Sequence, residues 1–222
     1  MTDRLVVFAR APRPGAVKRR LAAALGDEGA CGAYATLARH VLGQLGAVSL
    51  GELRHTPDDA GREVADWLPP GWSLAPQGEG DLGARMARAL TAHFQQGAAR
   101  MALVGSDCPD VGAADIHAAW RSLADHELVL GPAEDGGYWL IGLRAAAAGW
   151  ETLFRDMPWG TARVLAETLR RAEAAGLRAA RLRTLRDVDK PADWEDWRSR
   201  GGAGATSGQP ARPPQGHRSL AR

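Results

Sequence analysis

The stretch MALVGSDCPDV, Met101–Val111, decides the fold. Its first half is apolar through Val104, and it breaks at Gly105 into a polar segment that holds Asp107 and Asp110 around Cys108 and Pro109. An apolar run that stops at a glycine predicts a buried strand emptying into a loop, with a helix to follow from about Gly112 to Ala124. The same pattern recurs on both sides. Upstream, LVVFA (Leu5–Ala9) empties into RAPRPGAVKRRL, and apolar residues at helical spacing then mark a helix over Gly29–Leu45. Short strands are predicted at Leu50–Thr56 and Trp72–Ala75, with helices over Pro57–Leu68 and Leu82–Gln96. Downstream, Glu127–Gly131 and Tyr138–Leu143 read as strands. A helix after Thr161, a strand near Arg181–Leu185 and a helix over Ala192–Arg198 complete the series. Strands alternating with helices predict an α/β fold of three αβα layers around a mostly parallel sheet.

Composition narrows the function classes. A chain of 222 residues, 45% hydrophobic and 24% charged, suits one soluble globular domain. No apolar run approaches the roughly 20 residues of a membrane span, and no signal peptide is recognised, so a cytoplasmic protein without a membrane partner is expected. The net charge of +2 comes from the last 24 residues, which hold four arginines and no acid; residues 1–198 carry 24 basic and 26 acidic residues. A nucleic-acid partner is therefore not expected. Residues 199–222, rich in Gly, Pro, Ser and Ala, are expected to form a disordered tail behind a single domain over 1–198. Cys31 and Cys108 stand far apart and suggest neither a zinc site nor a disulfide.

In a parallel α/β sheet, ligands gather beyond the carboxyl ends of the strands. The loop after Leu5–Ala9 offers Arg10, Arg13, Lys18, Arg19 and Arg20 beside Pro14 and Gly15. That is a phosphate-binding chemistry without a P-loop or GxGxxG signature. Asp107 and Asp110 offer hard oxygens for Mg²⁺ or Mn²⁺, and Asp110 is equally suited to cap the following helix. PAEDGG places Glu134 and Asp135 before Gly136 and Gly137, where the backbone can approach a ligand and either carboxylate can act as a general base. In QGEGDLG, Gln77 offers an amide matched to a nucleobase edge, next to Gly80, while Asp81 can cap a helix or meet the nucleotide. Trp159, in MPWGT, can stack on a sugar or base.

Taken in order, FARAPRPGAVKRRL, QGEGDLGARM, VGSDCPDV, GPAEDGGYWLIGL, MPWGTARVL and LRDVDKPADW resemble the DUF2064 family over about residues 4–198. That family is also called selenodomain-associated transferase 1 or arsenosugar-biosynthesis-type glycosyltransferase. The resemblance implies a GT-A, nucleotide-diphospho-sugar transferase-like fold. It also implies a divalent metal, a nucleotide-sugar or NTP donor and a small-molecule acceptor. It assigns Lys18 to the donor phosphates, Gln77 to the base, Asp107 to the metal and, in LRDVDKP, Asp189 rather than Asp187 to a second metal ligand. The reaction implied first is glycosyl transfer. The alternatives are nucleotidyl transfer with release of pyrophosphate, as in the molybdenum-cofactor and phospholactate guanylyltransferase type, and a nucleotide-binding protein without catalysis. The chain has VKRRL and PWGT where the family commonly has VKTRL and PWST.

Overall fold

A computed structural model describes residues 2–202. Seven strands form one sheet in the order β3-β2-β1-β4-β6-β5-β7: β1 (Thr2–Arg10), β2 (Gly51–Thr56), β3 (Ser73–Pro76), β4 (Ala98–Gly105), β5 (Leu128–Pro132), β6 (Tyr138–Arg144) and β7 (Ala179–Arg181). All neighbours run parallel except β6, which is antiparallel to both β4 and β5. The sheet is thus mostly parallel, as expected, with one reversed strand.

Side chains alternate across a strand, and β1 shows both faces buried. Leu5, Val7 and Ala9 enter one core, and Val6 and Phe8 enter the other. The first core is closed by α1 (Arg19–Leu45) and α4 (Ala113–Ser122), through Tyr34, Val41, Leu42, Ile116 and Trp120. The second is closed by α3 (Leu82–Gln95) and α5 (Val164–Ala174), through Met86, Leu90 and Ala172. A further helix, α6 (Pro191–Ser199), packs Trp194 and Trp197 beside α1.

Three elements depart from the sequence expectation. The helix ending at Leu45 begins earlier, at Arg19, because it continues across a kink at Gly26, whose φ of 67° and ψ of 169° are not helical. The helix expected over Pro57–Leu68 shrinks to α2 (Gly61–Val64) and a 3-10 turn over Ala65–Trp67. Strand β7 ends at Arg181, and Leu185 makes only an isolated bridge to Ala133. No helix among the described residues is long and apolar enough to cross a membrane. Of the expected tail, residues 203–222 lie outside the described residues, and Ser199 closes α6.

Candidate functional site

The carboxyl ends of β1 to β5 and the segment after β7 surround a cavity of about 920 Å³. Lys18 enters it from the loop after β1. Its backbone is left-handed, at φ 46° and ψ 49°, an uncommon conformation for a side chain without a local polar group. This geometry sends a nearly buried ammonium, 7% exposed, to within 3.1 Å of Asp107 and 3.9 Å of Asp189. Burial favours the neutral amine, but the charge and hydrogen bond of Asp107 outweigh it and hold the Lys18 pKa above its ordinary value. Lys18 is a fixed positive charge.

Asp107 leaves β4 with its side chain 42% exposed. The backbone ties it to the late acidic motif, since Val188 N–H donates to its carbonyl at 3.0 Å. Glu134 N–H likewise donates to Leu185 O at 3.0 Å, which brings PAEDGG alongside the same segment. Asp187 is the carboxylate changed most by this assembly. Burial and the nearby charges of Asp107 and Asp135 push its pKa up to about 6. Asp189, expected as the second metal ligand, has a different setting: Arg20 holds one oxygen at 2.8 Å and Lys18 lies near the other. Asp187 and Asp189 both line the cavity, and of the two only Asp189 is ion-paired among the described residues.

A second buried feature sits under the site. Arg10 N–H donates to the Tyr34 hydroxyl at 2.7 Å, and the Tyr34 and Ser106 hydroxyls lie 2.9 Å apart. Either hydroxyl can donate to the other, so the pair is satisfied beneath the cavity, which Tyr34 and Ser106 both line.

Other expected residues fall differently. Arg10, Gly80 and Asp81 line the cavity. Asp81 also caps α3 by accepting Ala84 N–H at 2.8 Å. Asp135 lines it and accepts Gly137 N–H at 2.8 Å. Gln77 lines it, but its amide nitrogen already donates to Ala9 O at 2.9 Å and Arg54 O at 3.0 Å, so it braces the strand ends rather than reading a base. Pro14 and Gly15 form an exposed turn beside the cavity wall. Gly136 is packed so closely on Ala162 that a Cβ would lie 2.3 Å from that carbonyl oxygen; neither it nor Gly137 lines the cavity. Trp159 packs against α3 at Gly83 and the second core instead of facing a ligand. Glu134 is held by Arg186 at 2.8 Å. Asp110 pairs with Arg200 at 3.4 Å, and Asp115 takes the cap of α4 by accepting Gly112 N–H at 2.9 Å. Cys108 is buried and its thiol pKa is raised well above the ordinary value, which removes it as a nucleophile.

The donor set suits a hard divalent cation: carboxylate oxygens of Asp107 and Asp187, with Asp135 beside them in the same cavity. Among the described residues, no three acidic, histidine or cysteine side chains converge closely enough to hold an ion alone. Phosphate or water oxygens would have to complete the shell, as Mg²⁺ commonly requires.

Sheet order, carboxyl-end cavity and acidic–basic lining together define an α/β protein of the nucleotide-diphospho-sugar transferase fold. The family described as "uncharacterized protein conserved in bacteria", DUF2064, matches residues 41–161. The chain belongs to this family. Among solved structures, it resembles a protein from Desulfovibrio desulfuricans G20 provisionally described as a nucleotide-diphospho-sugar transferase. The two are 30% identical over 92% of this chain and 89% of the other, with a TM-score of 0.82. CMP:2-keto-3-deoxy-manno-octonic acid synthetase in complex with CTP is similar at 12% identity, over 90% and 98% of the chains, with a TM-score of 0.54. A Mycobacterium tuberculosis H37Rv protein in complex with manganese is similar at 16% identity, over 88% and 97%, with a TM-score of 0.51. No curated protein matches the chain.

Proposed function

We propose that the protein is a metal-dependent glycosyltransferase that uses a nucleotide-activated sugar and a small-molecule acceptor. The observation that carries this reading is the convergence of Lys18, Asp107, Asp135 and Asp187 on one cavity at the carboxyl ends of the strands. The likeness to the Desulfovibrio desulfuricans protein over nearly the whole chain supports the transferase class.

In this reading the donor diphosphate lies against Lys18, whose buried ammonium stabilises negative charge on the departing group. Asp107 and Asp187 would hold a divalent ion, which when bound would further neutralise that charge. An acceptor oxygen attacks the anomeric carbon and a new C–O bond forms. The bond to the diphosphate breaks, and the nucleoside diphosphate leaves with the electron pair. Asp135 takes the acceptor proton. Its oxygen not bound to Gly137 N–H is the one free for that role.

The test is melting temperature and product analysis with Mg²⁺ and each nucleoside triphosphate or sugar nucleotide. Stabilisation by a sugar nucleotide, with release of a nucleoside diphosphate, is expected. Stabilisation by a triphosphate with release of pyrophosphate would replace glycosyl by nucleotidyl transfer. A response that is unchanged in Asp107→Asn would remove Asp107 from the metal site.

A further inference from the structure

The loss of Gln77 as a base reader leaves the β2–β3 end of the cavity to a residue outside the sequence expectation. Arg85 lies one turn into α3 and reaches back over the loop after β3. Its Nε donates to Gly80 O at 2.9 Å, and its Nη1 donates to Thr56 Oγ1 at 3.0 Å and Gln77 Oε1 at 3.4 Å. Arg88 fixes the same loop by donating to the carbonyls of Gln77 and Glu79, both at 2.8 Å. All these acceptors are neutral. Among the described residues, Arg85 makes no ion pair, and its Nη2 makes no hydrogen bond. By contrast, nearby Arg13 is neutralised by Asp59 and Glu63. Arg85 is thus a rigid donor with an unspent N–H edge, lining the cavity.

Asp81 is the N-cap of α3, with extended backbone, and its carbonyl accepts Arg85 N–H at 3.1 Å, which sets the two residues one turn apart at the start of the helix. One Asp81 oxygen caps Ala84 N–H; the other has no partner among the described residues, and Asp81 also lines the cavity. Leu82, 44% exposed, supplies an apolar surface beside them. This wall therefore presents one donor and one acceptor on a fixed loop.

We infer that Arg85 and Asp81 read the lactam edge of a nucleobase, a carbonyl beside a ring N–H, and so select uracil or guanine over cytosine and adenine. The inference rests on the nucleotide reading above. Strand order supports the placement: β2 and β4 flank β1, so Thr56 and Asp107 are separated by two strand spacings, roughly 10 Å. A ribose bridges such an interval between a diphosphate at Lys18 and a base at Arg85. Uracil and guanine offer an accepting oxygen to Arg85 and an N–H to Asp81. Held by the ribose in that same pose, cytosine and adenine reverse both, placing an amino group against the guanidinium and a ring nitrogen against the carboxylate. Each reversal leaves a desolvated polar group unpaired.

Titration calorimetry of the full chain with Mg²⁺ and UDP, GDP, CDP, ADP or pyrophosphate tests this. UDP or GDP is expected to bind about tenfold or more tighter than CDP and ADP. Asp81→Asn, which keeps a capping oxygen but turns the free acceptor into a donor, should bring that ratio near one and leave pyrophosphate affinity unchanged. Arg85→Gln should do the same. Equal affinity for the four nucleotides, or preference for CDP or ADP, overturns the inference. So does a parallel loss of pyrophosphate affinity in both variants, which would place the pair on the phosphates. If pyrophosphate binding depends on Asp107 while the four bases bind alike, the base reading falls and the transferase reading stands. If neither pyrophosphate nor any nucleotide binds, both fall.

Discussion

Asp187 carries a charge that the folded chain resists. Its pKa is pushed up to about 6 by burial and by Asp107 and Asp135, against an ordinary value near 3.8. The native state holds that proton more tightly than the unfolded state does. Its contribution to stability is therefore fully present below the ordinary value and is lost as pH rises through about 6. Melting curves of metal-free wild type and Asp187→Asn should accordingly diverge over this window, with the variant gaining relative stability above pH 6. Mg²⁺ with nucleotide should reverse the order at pH 7.5, since only the wild type keeps the carboxylate; parallel curves would detach Asp187 from the acidic cluster. Lys18 makes the complementary case. Lys18→Met removes the buried charge that faces the leaving group and should lower kcat by about 10²-fold or more. Lys18→Arg keeps the charge, but a planar fork does not fit a slot built for a compact ammonium, so rescue should be incomplete. Equal kcat for all three proteins would take Lys18 out of the chemistry.

At the scale of elements, strand β2 shows how the cavity wall is held. Glu52 is partly buried between Arg54 on its own strand and His93 on α3, with His93 at 3.2 Å. Burial raises its pKa, yet the hydrogen bonds and charges of His93 and Arg54 overcome this and hold it below the ordinary value. Glu52→Ala should cost about 3 kcal/mol at pH 7, because it strands a buried arginine. The wild-type advantage should be present above pH 4.5 and shrink as pH falls through the lowered value, a loss that denaturant melts at several pH values would read. Elements of this kind were legible in part. LVVFA and MALV declare buried strands because both faces of each are apolar, and α3 shows its stripe in Met86, Leu90 and Phe94. Strand order is not written in local pattern: Tyr138–Leu143 reads as a strand in either direction, and its reversal follows from the tight turn at Asp135–Gly137. Side-chain direction is equally hidden. Tyr34 has the spacing of a core residue and is one, yet its hydroxyl serves Arg10 and Ser106. Arg85 looks like any charged position on a helix until α3 is placed over the loop after β3. Asp187 and Asp189 differ only in which way each faces.

For the molecule as a whole, the cavity is a joint between segments remote in sequence. The sheet brings together the loop after β1, the loop after β3, the end of β4 and residues 185–189, and Lys18, Asp107, Val188 and Asp189 then join three of them directly. A ligand that touches all four should stabilise the entire fold by binding the native state alone. At a concentration 100 times its dissociation constant, such a ligand adds about 2.7 kcal/mol, which for a domain of this size raises Tm by roughly 6 °C. Hydrogen exchange separates this from a local effect. With Mg²⁺ and the preferred nucleotide, amides in 14–20, 77–82, 105–108 and 185–189 should slow together. In Asp107→Asn, the β4 end and 185–189 should lose that protection, because the carboxylate that links the ligand to both is gone. The loop after β3 should keep part of its response, since Arg85 and Asp81 still hold one end of the ligand. Protection confined to one segment in the wild type would reduce the site to a surface contact, and an undiminished response in Asp107→Asn would show that the acidic end is not where the ligand is held.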